Sequence, residues 1–155
     1  MKKILLLLTL FSFQFLYGQQ CNELNEMLVE SIIAYKNYYD SSKFCQSNSR
    51  NLYLCSDGLP TQWRNREFYE SIPIETLSWR HIESKFYKEM KKGFDLIEIN
   101  CFISGKSLEV QILEYVITRE GKHISHAYSG ACNFSYYYNC ETNKWERNQM
   151  YRNGI

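Results

Sequence analysis

His126, Glu98 and Tyr115 are the residues of this 155-residue chain whose types could do proton chemistry together. A histidine beside a carboxylate can act as a general base, and a tyrosine hydroxyl can hold a ligand by hydrogen bonding. If Glu120-Gly121 is a two-residue turn, His126 falls opposite Tyr115, with Tyr128 and Glu98 on the same sheet face. The competing reading makes them polar members of a half-buried face. His81 follows Arg80 on an expected helix and His123 adjoins a turn, both positions where side chains are solvated. No nucleophile elbow, phosphate loop, HExxH or paired-carboxylate motif occurs, so no catalytic residue and no cofactor are assigned.

A second group is aromatic. Phe134-Ser135-Tyr136-Tyr137-Tyr138 is followed by Trp145 and Arg147 in a chain with 13 tyrosines and 3 tryptophans. Tyrosine and tryptophan combine large apolar area with a polar tip, which suits a binding face. The same residues would equally build a second small core beneath residues 41 to 72, a stretch that carries Phe44, Tyr53, Trp63, Phe68 and Tyr69.

The third group is the six cysteines Cys21, Cys45, Cys55, Cys101, Cys132 and Cys140. No Cys-x2-Cys pair exists and His123 and His126 lie outside any cysteine cluster, so zinc, or any other metal, is not expected. An even count in an exported chain reads as three disulfides. Cys45 to Cys55 is the expected pair, closing a short loop worth about 2 to 3 kcal/mol of unfolded-state entropy. Strand geometry puts Cys101 and Cys132 about 9 to 10 Å apart and Cys132 and Cys140 about 26 Å apart, beyond disulfide reach unless the strand bends. By elimination Cys101 becomes the candidate partner of Cys21.

Export is expected from the N-terminus. Lys2-Lys3, an apolar run from Ile4 to Tyr17 and a small residue at Gly18 have the form of a cleavable signal peptide over residues 1 to 18. The apolar stretch is shorter than the ~20 residues that span a bilayer. Gly18-Gln19-Gln20 before Cys21 lacks the small residue that a lipoprotein signal places directly before its cysteine. The expected mature chain, residues 19 to 155, is one domain in a periplasm or outside the cell, with no membrane insertion after cleavage. Without Lys2 and Lys3 it holds 16 basic against 17 acidic residues. That near-neutrality argues against a nucleic-acid partner or an anionic membrane surface.

These side chains need elements to position them. Leu24, Met27, Leu28, Ile32, Tyr35, Tyr38 and Tyr39 recur at helical spacing over residues 23 to 39, with Asn22 as N-cap. Residues 41 to 62 are rich in Ser, Asn and turn formers and read as irregular. Pro73 to Lys92 reads as a second helix with Trp79, Ile82, Phe86 and Met90 on its apolar stripe and Gly93 at its end. From Phe94 the period is two, predicting strands at 94 to 103, 107 to 119, 122 to 139 and 144 to 152, joined by short turns. The expected fold is α+β: two helices packed on a four-stranded antiparallel meander, stapled by disulfides. One face should gather Ile97, Ile99, Cys101, Leu108, Val110, Ile112 and Ala131 under the helices. The other should gather Glu98, Tyr115, His126, Tyr128, Phe134, Tyr136, Tyr138, Trp145, Arg147 and Tyr151.

The element order over residues 75 to 152 is similar to the broad cystatin-like and nuclear-transport-factor-2-like α+β superfolds. Those folds host enzymes, ligand carriers and inhibitors alike, so the likeness does not choose a function. The function expected from the residues is an exported, non-enzymatic binding protein that recognises a partner protein through its aromatic sheet face, as a periplasmic inhibitor or immunity protein would. The alternative is a small enzyme or ligand carrier with a pocket around His126, Glu98 and Tyr115.

Overall fold

The computed structural model describes residues 23–41, 51–59, 61–64, 66–85, 93–121 and 123–154. The expected signal segment, Cys21 and Cys45 lie outside the described residues. The first helix, α1, covers residues 23–41. It buries Met27, Leu28, Ile32 and Tyr35, which recur at steps of one, four and three residues and so share one helix face.

The sheet has six strands, not four, and it is mixed. Its order is β2-β1-β3-β4-β5-β6. The two added strands are β1 (Leu52–Cys55) and β2 (Glu75–Leu77). β1 pairs in parallel with both β2 and β3, which corrects the all-antiparallel expectation. Leu52-Tyr53-Leu54-Cys55 is a short continuous apolar run, as suits a strand covered on both faces, but its Ser/Asn-rich flanks hid it. Leu54 and Cys55 are fully buried and Tyr53 nearly so.

The expected long helix from Pro73 is also corrected. Residues 75–77 form β2, and the helix α3 (Trp79–Lys85) begins only after Ser78, whose hydroxyl accepts from the His81 N–H at 3.4 Å as an N-cap. A serine oxygen serves a free N–H there, where Pro73 would only have tolerated one. Phe86 and Met90 lie outside the described residues. A short helix α2 (Arg66–Ser71) and a 3-10 turn at Thr61–Trp63 precede β2.

The remaining strands are β3 (Phe94–Ser104), β4 (Ser107–Glu120), β5 (His123–Asn139) and β6 (Lys144–Gly154), antiparallel neighbours in chain order. Gly105-Lys106 is the β3–β4 turn, with Gly105 at φ 64°. Glu120 pairs with His123, which shifts the register from the expected one, and Tyr115 sits opposite Tyr128, not His126.

Two bulges decide which residues face where. Glu114 pairs with Gly130 but Tyr115 pairs with Tyr128, leaving Ser129 as an extra residue in β5. Since strand side chains alternate, one extra residue exchanges the faces of everything beyond it. Likewise Ser135 pairs with Gln149 but Tyr136 with Arg147, leaving Asn148 extra in β6. Phe134, Tyr136, Tyr138, Trp145 and Arg147, expected on the face opposite α1, therefore lie on the α1 face.

The main core is on that face. Leu28, Ile32 and Tyr35 of α1, with Trp63, Phe68, Ile72 and Ile74, pack on Leu54, Ile97, Ile99, Val110, Ile112, Cys132, Phe134 and Tyr136. A smaller core on the opposite face joins Leu77 and Ile82 to Tyr53, Cys55, Phe94, Leu96 and Ile117. The aromatic residues of the expected loop, Trp63 and Phe68, thus belong to the main core.

Among the described residues no disulfide forms: Cys55, Cys101, Cys132 and Cys140 are free thiols. This corrects the pairs Cys45–Cys55 and Cys21–Cys101. The reason is register. Cys55 points into the small core, Cys101 and Cys132 lie on the α1 face with β4 between their strands, and Cys140 is exposed in the β5–β6 turn. The distance arguments against Cys101–Cys132 and Cys132–Cys140 agree with this; the premise that every cysteine must pair does not.

Candidate functional site

Beyond the Ser129 bulge, the face opposite α1 carries a strip of polar side chains across its middle strands. Alternation along β4 places Glu109 and Gln111 there, and alternation along the displaced half of β5 places Asn133, Ser135 and Tyr137 beside them. The Ser135 hydroxyl donates to Glu109 Oε1 at 2.7 Å, and Gln111 Nε2 donates to Asn133 Oδ1 at 2.9 Å. These are cross-strand pairs in ladder register, each member positioned by the other. Asn133 and Ser135 are only 3% and 4% exposed, so their polar groups need these bonds. Glu109 Oε2 is buried and has no hydrogen-bond partner.

Large side chains rim the strip: Phe102 on β3, Tyr137 on β5 and Tyr151 on β6 are exposed by 46%, 40% and 42%. None of these residues belongs to either hydrophobic core. The Tyr137 hydroxyl donates to Glu146 Oε2 at 2.6 Å, and Glu146 Oε1 accepts from Asn139 and Thr142 at 2.8 and 2.9 Å. Three donors hold the Glu146 carboxyl below its usual range, with the Tyr137 bond foremost. Tyr137 is thereby fixed in place at the end of the strip.

The residues singled out by sequence fall into three groups. Tyr115, Tyr128 and Glu98 do come together: the two rings meet edge-on with centroids 6.0 Å apart. Burial, then the neighbouring Glu98 and Tyr128, push the Tyr115 hydroxyl above its usual range. His126 is on the same face, but its ring stacks flat on Trp79, with centroids 4.6 Å apart and planes 7° apart. The exposed imidazole covers Trp79, which packs against the smaller core, instead of joining Glu98 as a base. Tyr136 is 1% exposed beneath α1, and Tyr138 and Trp145 pack edge to face at 5.5 Å at the margin of the main core. Arg147 reaches α1 and pairs with Glu30 at 3.2 Å.

Sequence reasoning did not single out Glu109, Gln111 and Asn133, and it held Ser135 and Tyr137 only as members of the aromatic run; the sheet gathers all five. The sequence carried no signal for this: on both sides of Gly130 the even positions of β5 are the bulky ones (Ile124, His126, Tyr128, then Phe134, Tyr136, Tyr138) and the odd ones are mostly small or polar. The alternation runs on unbroken, and only the pairing shows that the two halves of β5 turn the same parity to opposite faces.

Among the described residues no group of three His, Cys, Asp or Glu side chains could hold a metal ion. The buried thiols are poor nucleophiles, because desolvation pushes Cys101 up to about 12, Cys132 to about 11, and Cys55 upward as well. No protein-family model, curated protein or solved structure matches the chain. Its function is therefore argued from the site alone.

Proposed function

We propose that the chain is an exported, non-enzymatic binding protein that holds a partner protein against the exposed aromatic rim of the polar strip. A periplasmic inhibitor or immunity protein is the concrete form of this reading. The observation that carries it is Phe102, Tyr137 and Tyr151, large, exposed and outside both cores, around hydrogen-bonded polar groups on one face. Aromatic anchors about a polar centre are what interface hot spots use. Export rests on residues 1 to 18 alone, since the free thiols withdraw the support that disulfides would have given. The pocket reading has less behind it, because the imidazole of His126 is committed to Trp79.

The test is affinity capture from the exported fraction of the source cells, with the mature protein and a Phe102→Ala/Tyr151→Ala variant as baits. One stoichiometric protein retained by the first and lost from the second, with both baits equally folded by circular dichroism, is the expected result. Equal retention by both baits would remove this face from the reading.

A further inference from the structure

On the other side of the molecule, α1 and α2 border an open groove of about 400 Å³, lined by Asn25, Glu26, Val29, Glu30, Ile33, Glu67 and Ser71. Its lining is largely apolar, with Val29 and Ile33 one helical turn apart and Ile33 38% exposed. Three carboxylates edge it. Glu30 is paired with Arg147, so the rim already accepts a guanidinium from this chain. Glu26 and Glu67 are exposed and make no ion pair among the described residues. The Asn25 side-chain oxygen is buried in the structure and accepts no hydrogen bond.

We infer that this groove takes a lysine or arginine side chain presented by a partner polypeptide. The fit is chemical. The aliphatic stem of either residue lies along apolar surface while its head stays polar, which matches an apolar floor ending in carboxylates. Lysine and arginine carry donors and no acceptor, so the head group complements Glu26 and Glu67 by charge. A volume of this size, at the lower end of ligand pockets, suits one or two side chains. The groove is on the helical layer, away from the polar strip, so this inference does not rest on the proposed function.

Fluorescence anisotropy with the full mature protein tests it. The probes are a labelled, capped hexapeptide of alternating leucine and lysine and its leucine-glutamate counterpart, each titrated at low and high salt. The basic peptide is expected to bind, the acidic one not, and binding should weaken about 5- to 30-fold in a Glu26→Gln/Glu67→Gln variant and with added salt. Both substitutions are on exposed side chains, and an unchanged thermal melt shows that the fold is intact. Failure of the basic peptide to bind, equal binding of both peptides, or unchanged affinity in the double variant overturns the inference. So does displacement of the peptide by calcium, which would make the groove a cation site, or a dimer that dissociates in the variant, which would make the occupant a second copy.

Discussion

The hydroxyls of Ser31 and Tyr136 lie 2.7 Å apart, and both reach the Met27 carbonyl, at 2.8 and 3.1 Å, where α1 packs on the sheet in the main core. A buried phenol needs such partners, and burial pushes its ionisation up to about 12. Tyr136→Phe is expected to lower stability by about 1 to 2 kcal/mol in urea unfolding while leaving partner capture unchanged. Loss of capture without loss of stability would return Tyr136 to the binding face. The thiols give a second test at this scale. Cys140 is exposed, whereas Cys55, Cys101 and Cys132 are raised in pKa by burial. Iodoacetamide at neutral pH should label Cys140 in the native protein and the other three only after denaturation, without any reductant. A denatured sample in which these four stay unlabelled until reduced would contradict the free thiols.

Between elements, the extra residue Ser129 does the sorting. It places Cys132, Phe134 and Tyr136 under α1 while Ile124, His126 and Tyr128 stay on the other face. Deleting Ser129 forces one half of β5 to turn its core residues outward, so the deletion should abolish a cooperative thermal transition. Deleting Glu141, in the exposed β5–β6 turn, should only lower the melting temperature. That turn has its own pH dependence. Glu146 is held below its usual pKa, so its contribution is present above the ordinary glutamate value of about 4.3 and lost as pH falls through the lower folded value. Wild type should exceed Glu146→Gln in melting temperature at pH 6 and converge with it in acid. A constant difference down to the acid limit would show that the carboxylate charge is not the cause.

For the molecule as a whole, Arg152 is a tie between layers. It donates to both carboxylate oxygens of Glu114, at 3.1 and 2.5 Å, and to the Tyr38 hydroxyl at 3.4 Å, so that β6, β4 and α1 meet in one group. Glu114 is 8% exposed, and removing its counter-ion leaves a nearly buried charge. Arg152→Ala is expected to cost about 1 to 3 kcal/mol, more than a surface pair, with Arg152→Ala/Glu114→Gln recovering part of it in a double-mutant cycle. Much of this architecture was legible beforehand. The period-three-to-four spacing from Leu24 to Tyr39 specified α1, and the period-two runs after Phe94 specified β3 to β6, because alternation and helical spacing are written in adjacent residues. The sequence also carried the absence of catalytic motifs and the richness in tyrosine. Only the tertiary structure decided that Leu52–Cys55 and Glu75–Leu77 are strands, since three or four residues become a strand through partners distant in the chain. It alone decided that the thiols are held apart and that Glu109, Gln111, Asn133 and Ser135 share a strip. Both depend on pairing register, and one unpaired residue at Ser129 reverses what local alternation implies for every residue after it.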